Sequence, residues 1–334
     1  MKKQILRTNV STSRLGFGCV QLTAHRNRQE AVSTLDHAFC MGITHFDIAR
    51  AYGFGRAEAI LREFLVKKRA KVTLTTKFGI EPPSGLAGNA RLINGLKKTL
   101  RHFPGVLRLV KNYGSAMTKS GLFTPESAVR SLEVSLRELG TDYVDTFLLH
   151  EATLADANSE PLVEALMAQI EKGKIRQLGL GSAFPKIEAC GELLSDVYEV
   201  LQFNDNAADR SVQKLPLPNR RFMITHSAFN PLKSLQGAVR AFPEITREFS
   251  TRMNIDLTET AAMSSLLLRF ALWSNRDGMV LFSSKDPLHI TSNVRDAASL
   301  PDKDTMRYFM EFVDQILAPT IPGRSSYTNF SELA

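Results

Sequence analysis

The chain has 334 residues, 43% hydrophobic and 23% charged, which is the make-up of a folded globular protein and excludes disordered or collagen-like chains. Its formal net charge of +8 would suit a nucleic-acid binder only if organised on one surface. Instead Arg91, Lys97, Lys98, Arg101, Arg108, Lys111 and Lys119 all fall between Pro82 and Pro125, where no Asp or Glu occurs, and the remainder is nearly neutral.

No uncharged apolar run reaches the ~18 residues that would suggest an integral membrane segment. The Met1-Lys2-Lys3-Gln4 start lacks a signal-peptide core, so a cytoplasmic location is expected. Cys19, Cys40 and Cys190 form neither a CxxC pair nor a zinc-finger spacing, so neither disulfides nor a metal is expected.

From the N-terminus onward, eight short runs rich in β-branched and aromatic residues alternate with helical patterns. They are residues 14–19, 44–49, 72–78, 143–150, 175–182, 199–204, 222–229 and 279–284. Between the third and fourth lies the stretch 79–121, several times the ~2–6 residues of an ordinary βα loop, so it is expected to hold structure of its own. Thr124-Pro125-Glu126 then reads as an N-cap and first turn, followed by apolar positions Leu132, Val134, Leu136 and Leu139. A second helix follows Glu160 with Leu162, Leu166 and Ile170. The pattern is weakest over 205–221.

Eight strands alternating with helices fit an α/β fold of the single (β/α)8 TIM-barrel kind, spanning residues 1–318 with a long insertion after strand 3. Residues 319–334 read as a C-terminal tail.

In such a barrel, chemistry is drawn from the C-terminal ends of the strands. There the sequence places Asp47, followed by Tyr52, then Lys77, then His150. A lysine in an apolar barrel keeps its charge only beside a partner such as Asp47. That cation would stabilise a Tyr52 phenolate and lower its pKa, making the phenol a usable acid. His150 could orient and polarise a carbonyl oxygen. No Gly-x-Ser-x-Gly elbow and no metal-type cluster supplies a nucleophile, so hydride from a bound cofactor is the natural complement. Gly16-Phe17-Gly18 and Gly53-Phe54-Gly55 lack the third glycine of a Rossmann loop.

Taken with these groups, Leu15-Gly16-Phe17-Gly18, Tyr52-Gly53, Thr76-Lys77-Phe78, Asp142-Tyr143-Val144-Asp145, Leu149-His150, Gly173-Lys174-Ile175-Arg176 and Gly179-Leu180-Gly181-Ser182 resemble the aldo-keto reductases from about Arg14 to Ala298. The resemblance implies a barrel oxidoreductase using NADPH, or less often NADH, on a small-molecule carbonyl substrate, with no nucleic-acid partner. Tyr52 would be the proton donor, Lys77 and Asp47 its tuning pair, and His150 the carbonyl-orienting group. Ser182 and Gln202 fall where the family holds the nicotinamide carboxamide, Phe229 where a ring stacks on the nicotinamide, and Ser284, Lys285, His289 and Asn293 where the adenosine end is gripped. Ala183 departs from the usual Asn, His289 from the usual Arg and Ser283 from a common Lys.

Two other readings are open at this point. One is a Schiff-base lyase or aldolase through Lys77, and the other a nicotinamide-binding regulatory subunit. His45 and Cys19 read as core packing residues. In the basic insertion, Leu92, Ile93, Leu96, Leu100, Val106, Leu107, Leu109 and Val110 read as amphipathic helices with solvated Lys and Arg. The functional reading of that segment is a lid whose field attracts anionic ligands.

Overall fold

The computed structural model describes residues 3–5, 11–82, 119–120, 122–215, 221–299 and 302–318. Eight parallel strands close into one barrel: β1 (Leu15–Gly18), β2 (His45–Asp47), β3 (Thr73–Phe78), β4 (Val144–His150), β5 (Ile175–Gly181), β6 (Tyr198–Asn204), β7 (Phe222–His226) and β8 (Met279–Phe282). Each pairs with its successor, and β8 closes on β1 through Val280 with Leu15 and Phe282 with Phe17. Strands buried on both faces read as continuous apolar runs, which is why the sequence revealed them. All six residues of β3 are buried.

The seventh run was expected to reach Phe229, but β7 stops at His226 because Ser227 takes φ 71° and turns the chain away. The other seven lie within the predicted runs, save that β6 begins one residue earlier, at Tyr198.

Around the barrel stand α1 (Arg28–Cys40), α2 (Ala57–Leu65), α3 (Pro125–Leu139), α4 (Glu160–Glu171), α5 (Phe184–Cys190), α6 (Ser211–Lys214), α7 (Leu232–Ala241), α8 (Pro243–Met253), α9 (Thr260–Ser274), α10 (Pro287–Ala298) and α11 (Lys303–Leu317). α3 begins as its sequence dictates. Thr124 Oγ1 accepts from Ser127 N at 3.2 Å, Ser127 Oγ accepts from Thr124 N at 3.1 Å, and Pro125 fills the first turn, where no N–H is needed. Gly140 ends the helix at φ 66°, a conformation that costs glycine no steric penalty. Among the described residues of the weak pattern at 205–221, the one helix is the short α6.

Leu148, Val200, Phe222, Ile224, Met279 and Leu281 pack together within the barrel. Nearer its N-terminal end, fully buried His45 bonds Thr73 Oγ1 through Nδ1 at 2.9 Å and Thr75 Oγ1 through Nε2 at 3.3 Å, a satisfied core imidazole as expected. A second cluster, with Phe249, Phe270, Phe309 and Phe312, fills the space among α8, α9 and α11.

The insertion leaves and re-enters through an antiparallel pair, Ile80–Glu81 with Lys119–Ser120. Gly79 makes the exit at φ 107°, where a Cβ would meet the Phe123 ring at 2.3 Å. The apolar positions Leu92 to Val110 and the cations Lys97, Lys98 and Arg101 lie outside the described residues, as does the tail from 319. Among the described residues the three cysteines are free, no cluster could hold a metal, and no helix is long and apolar enough to cross a membrane.

Candidate active site

Parallel strands put all their C-terminal ends on one side of the barrel. Asp47 ends β2, Lys77 is the penultimate residue of β3, and His150 ends β4, so these three reach the same mouth. Tyr52 joins them from the turn after β2, where Gly53 and Phe54 take φ 58° and Gly55 φ 82°. A Cβ on Gly53 would lie 2.2 Å from Thr23 Cγ2, so the turn can pack there only with glycine. Arg50 and Glu58 anchor this turn to β3. Arg50 Nη1 donates to Glu58 Oε2 at 3.0 Å, and Thr76 Oγ1, next to Lys77, donates to Glu58 Oε1 at 2.8 Å.

Lys77 is 2% exposed. Its Nζ donates to Asp47 Oδ1 at 2.5 Å and to Ile48 O at 3.1 Å, and it lies 5.4 Å from the centre of the Tyr52 ring. The other carboxylate oxygen, Asp47 Oδ2, accepts from Gln202 Nε2 at 2.7 Å. Burial works against the ammonium, but the Asp47 carboxylate and the Tyr52 phenol outweigh it, so Lys77 is held above its ordinary pKa and stays charged.

The expectation for Tyr52 needs correction. Burial raises the phenol's pKa, and the Lys77 cation only partly offsets that rise, so the phenol stands above its ordinary value rather than below it. It therefore holds its proton firmly at neutral pH, the state from which a proton donor works. The His150 ring lies edge-on to Tyr52, centroids 6.5 Å apart. Burial, aided by the Lys77 cation, pushes the His150 pKa down to about 3, so the imidazole is neutral and keeps one N–H to donate.

These four groups line a cavity of about 410 Å³, together with Ser182, Gln202 and Phe229. Ser182 is 4% exposed, and its hydroxyl has no hydrogen-bond partner among the described residues. An unpartnered buried hydroxyl on a cavity wall fits a ligand amide. Gln202, with Nε2 committed to Asp47, has Oε1 left to accept from that amide. The residues present thus fit a nicotinamide carboxamide.

The residues expected at the adenosine end do not line this cavity. Ser284 and Lys285 lie on the connection after β8, and His289 and Asn293 lie on α10. Among them sits an acid that sequence reasoning passed over. Asp286 caps α10 by accepting from Leu288 N at 2.9 Å, and its carboxylate lies 3.9 Å from His289 Nε2.

Two titratable cavity residues were also missed. His226 ends β7 and faces the cavity, with Nδ1 2.8 Å from Ser227 Oγ and its pKa lowered by burial. Glu151 follows His150 and lines the rim. The strand-end rule that found Asp47 and His150 would have found His226, had the seventh run been ended correctly.

Comparison with known proteins bears on this geometry. A sequence profile described as the Aldo/keto reductase family matches residues 14–200, more than half of the chain. The aldo-keto reductase yakc [NADP(+)] of Schizosaccharomyces pombe is 27% identical over 52% of this chain and 43% of its own length. The NADH-specific methylglyoxal reductase of Escherichia coli is 26% identical over 72% of this chain and 69% of its own length. The chain spans about half the length of several other curated relatives that it matches.

Among solved structures, a holo aldo-keto reductase from Bacillus halodurans superposes with a TM-score of 0.69 at 18% identity, covering 95% of this chain and 96% of that one. An aldo-keto reductase from Klebsiella pneumoniae in complex with NADPH gives 0.65 at 19% identity, covering 98% and 99%. At these identities the superpositions speak for the barrel fold.

Proposed function

Because this chain belongs to the aldo/keto reductase family, we propose that it reduces the carbonyl group of a small aldehyde or ketone to an alcohol, reversibly, with NADPH or NADH as hydride source. The observation that carries this reading is the buried chain from Asp47 through Lys77 to Tyr52, at a cavity also lined by His150. When bound, the nicotinamide supplies the hydride. Ser182 and Gln202 would hold its carboxamide, and Phe229 would give it an apolar wall.

This chain's residues then manage the oxygen. Neutral His150 donates its N–H to the carbonyl oxygen, orienting it and drawing charge from the carbon. As negative charge builds on that oxygen, Tyr52 gives up its proton, and the alcohol is complete. The phenolate left behind is stabilised by the Lys77 ammonium, and solvent restores its proton. Asp47 keeps Lys77 charged and fixed in place. A general acid so placed contributes on the order of 10²–10⁴ in rate. The same contacts speak against a Schiff-base lyase, because a protonated Lys77 bound by Asp47 and Ile48 has no free lone pair for attack.

NADPH and NADH remain alternatives for this chain. Lys285 favours a 2′-phosphate, whereas the neighbouring Asp286 carboxylate opposes it. The test is cofactor absorbance with a panel of small aldehydes and ketones, run with each dinucleotide and repeated with cofactor deuterated at the nicotinamide C4. Reduction should consume cofactor and leave deuterium on the former carbonyl carbon. Dinucleotide binding without consumption across the panel would reject the enzyme and favour a regulatory subunit.

A further inference from the structure

Glu151 follows His150 at the cavity rim and adopts φ 64°, a left-handed conformation that side-chain-bearing residues rarely take. Four contacts hold it there. Its N–H donates to Gly181 O at 2.8 Å, and its Oε1 accepts from Ala183 N at 3.0 Å. Its Oε2 pairs with Lys186 Nζ at 3.0 Å, and the same ammonium donates to Glu151 O at 2.9 Å.

Every one of these partners lies between Gly181 and Lys186, on the segment that carries Ser182 from the tip of β5 into α5. That segment is tied onward to β6, with Ser182 N donating to Gln202 O at 3.0 Å and Phe184 N to Asn204 Oδ1 at 3.0 Å. Glu151 is therefore the bracket between the tip of β4, which presents His150, and the tip of β5, which presents Ser182.

The bracket has little value as a stability device. Glu151 and Lys186 side chains are 37% and 45% exposed, so their ion pair is screened by solvent and adds little to folding. A strained backbone held by several contacts at a site rim, with little stabilisation to explain it, points to function. Ala183 adds a second reason. It provides no side-chain amide toward the cavity, and its own N–H is spent on Glu151, which leaves Ser182 to meet a ligand amide from this segment, in a place set by Glu151.

We propose that Glu151 is a positioning residue that fixes His150 and Ser182 relative to one another, so that carbonyl orientation and nicotinamide docking are set by one side chain. The use made of the two positioned groups rests on the function proposed above. The bracketing itself does not.

The test compares wild type with Glu151→Gly and Glu151→Gln. Glycine relieves the left-handed backbone and removes the two carboxylate contacts, to Ala183 N and Lys186 Nζ, while keeping the two backbone ones, and glutamine keeps an Oε1 that can accept from Ala183 N. Glu151→Gly should melt at or above the wild-type temperature, yet bind nicotinamide dinucleotide ~10-fold more weakly by fluorescence titration and turn over ~10-fold more slowly, the scale of a small misplacement of reacting groups. Glu151→Gln should recover most of both losses. Parallel losses of melting temperature, affinity and turnover in the two variants would make Glu151 merely structural and overturn the proposal, as would wild-type affinity and turnover in Glu151→Gly.

A second readout uses no cofactor or substrate. The His150 ring resonances should not titrate above pH 5 in wild type and should titrate in Glu151→Gly as the imidazole loosens into solvent. Identical titrations in the two proteins would overturn the bracketing. A wild type that turned over no carbonyl compound would instead sink the functional reading alone.

Discussion

Lys77 sits where an isolated ammonium would be discharged, and it stays charged because the Asp47 carboxylate and the Ile48 carbonyl accept from it beside the Tyr52 ring. Asp47, Tyr52, Lys77 and His150 were legible in the sequence because each is a polar group at or just after the end of an apolar run. What the residue pattern could not give was the balance of opposing effects on Tyr52. Sequence brings the cation to mind, while the depth of burial that outweighs it exists only in the fold. The same limit hid Asp286, whose nearness to His289 depends on the first turn of α10. Asp286→Asn keeps an oxygen to cap Leu288 N and removes the negative charge. It should raise the affinity for NADPH relative to NADH by ~5-fold in fluorescence titrations at low salt, the scale of one partly exposed charge. An unchanged ratio would place the 2′-phosphate away from this acid.

Among the elements, the helix starts were the most legible, since Thr124-Pro125 specifies both the cap and the first turn of α3. β7 was overextended because an apolar run marks burial and carries no sign of the positive φ at Ser227. One motif behind the family resemblance serves architecture. Asp145, near the start of β4 and 1% exposed, accepts from Arg69 Nη2 at 2.8 Å, Arg176 Nη1 at 2.8 Å and Leu74 N at 2.9 Å. The two guanidinium groups lie 3.8 and 4.2 Å from the centre of the Tyr143 ring. This clamp joins β3, β4 and β5 at the end of the barrel away from the mouth. Asp145→Ala strands the largely buried Arg69, and urea unfolding should show a loss of about 3 kcal/mol, with turnover per folded molecule unchanged. A variant of full stability, or one crippled in turnover while fully folded, would contradict that division between the two ends.

At the scale of the molecule, the eightfold alternation was readable because a parallel barrel buries both faces of its strands, whereas the bearing of the basic insertion on the mouth falls on residues outside those described. The buried imidazoles give the whole fold a pH dependence. Burial pushes His45 to about 4 and His150 to about 3 and lowers His226, while each would titrate near ~6.5 in the unfolded chain. Below pH 6.5 the unfolded state therefore binds more protons, and stability falls toward acid. Asp205, raised to about 6 by burial, acts with the opposite sign between pH 4 and 6. Three imidazoles outweigh one carboxyl, so the urea midpoint should drop from pH 6.5 to 4.5, and more steeply in Asp205→Asn. A flat or rising midpoint would mean that these imidazoles are solvated.

The chemistry proposed for the barrel mouth stands or falls on the Tyr52 proton. In Tyr52→Phe the dissociation constant of the nicotinamide dinucleotide should stay within ~3-fold of wild type while single-turnover carbonyl reduction slows at least ~10²-fold, because only proton transfer in the transition state is removed. Reduction at the wild-type rate in that variant, with cofactor binding intact, would contradict it.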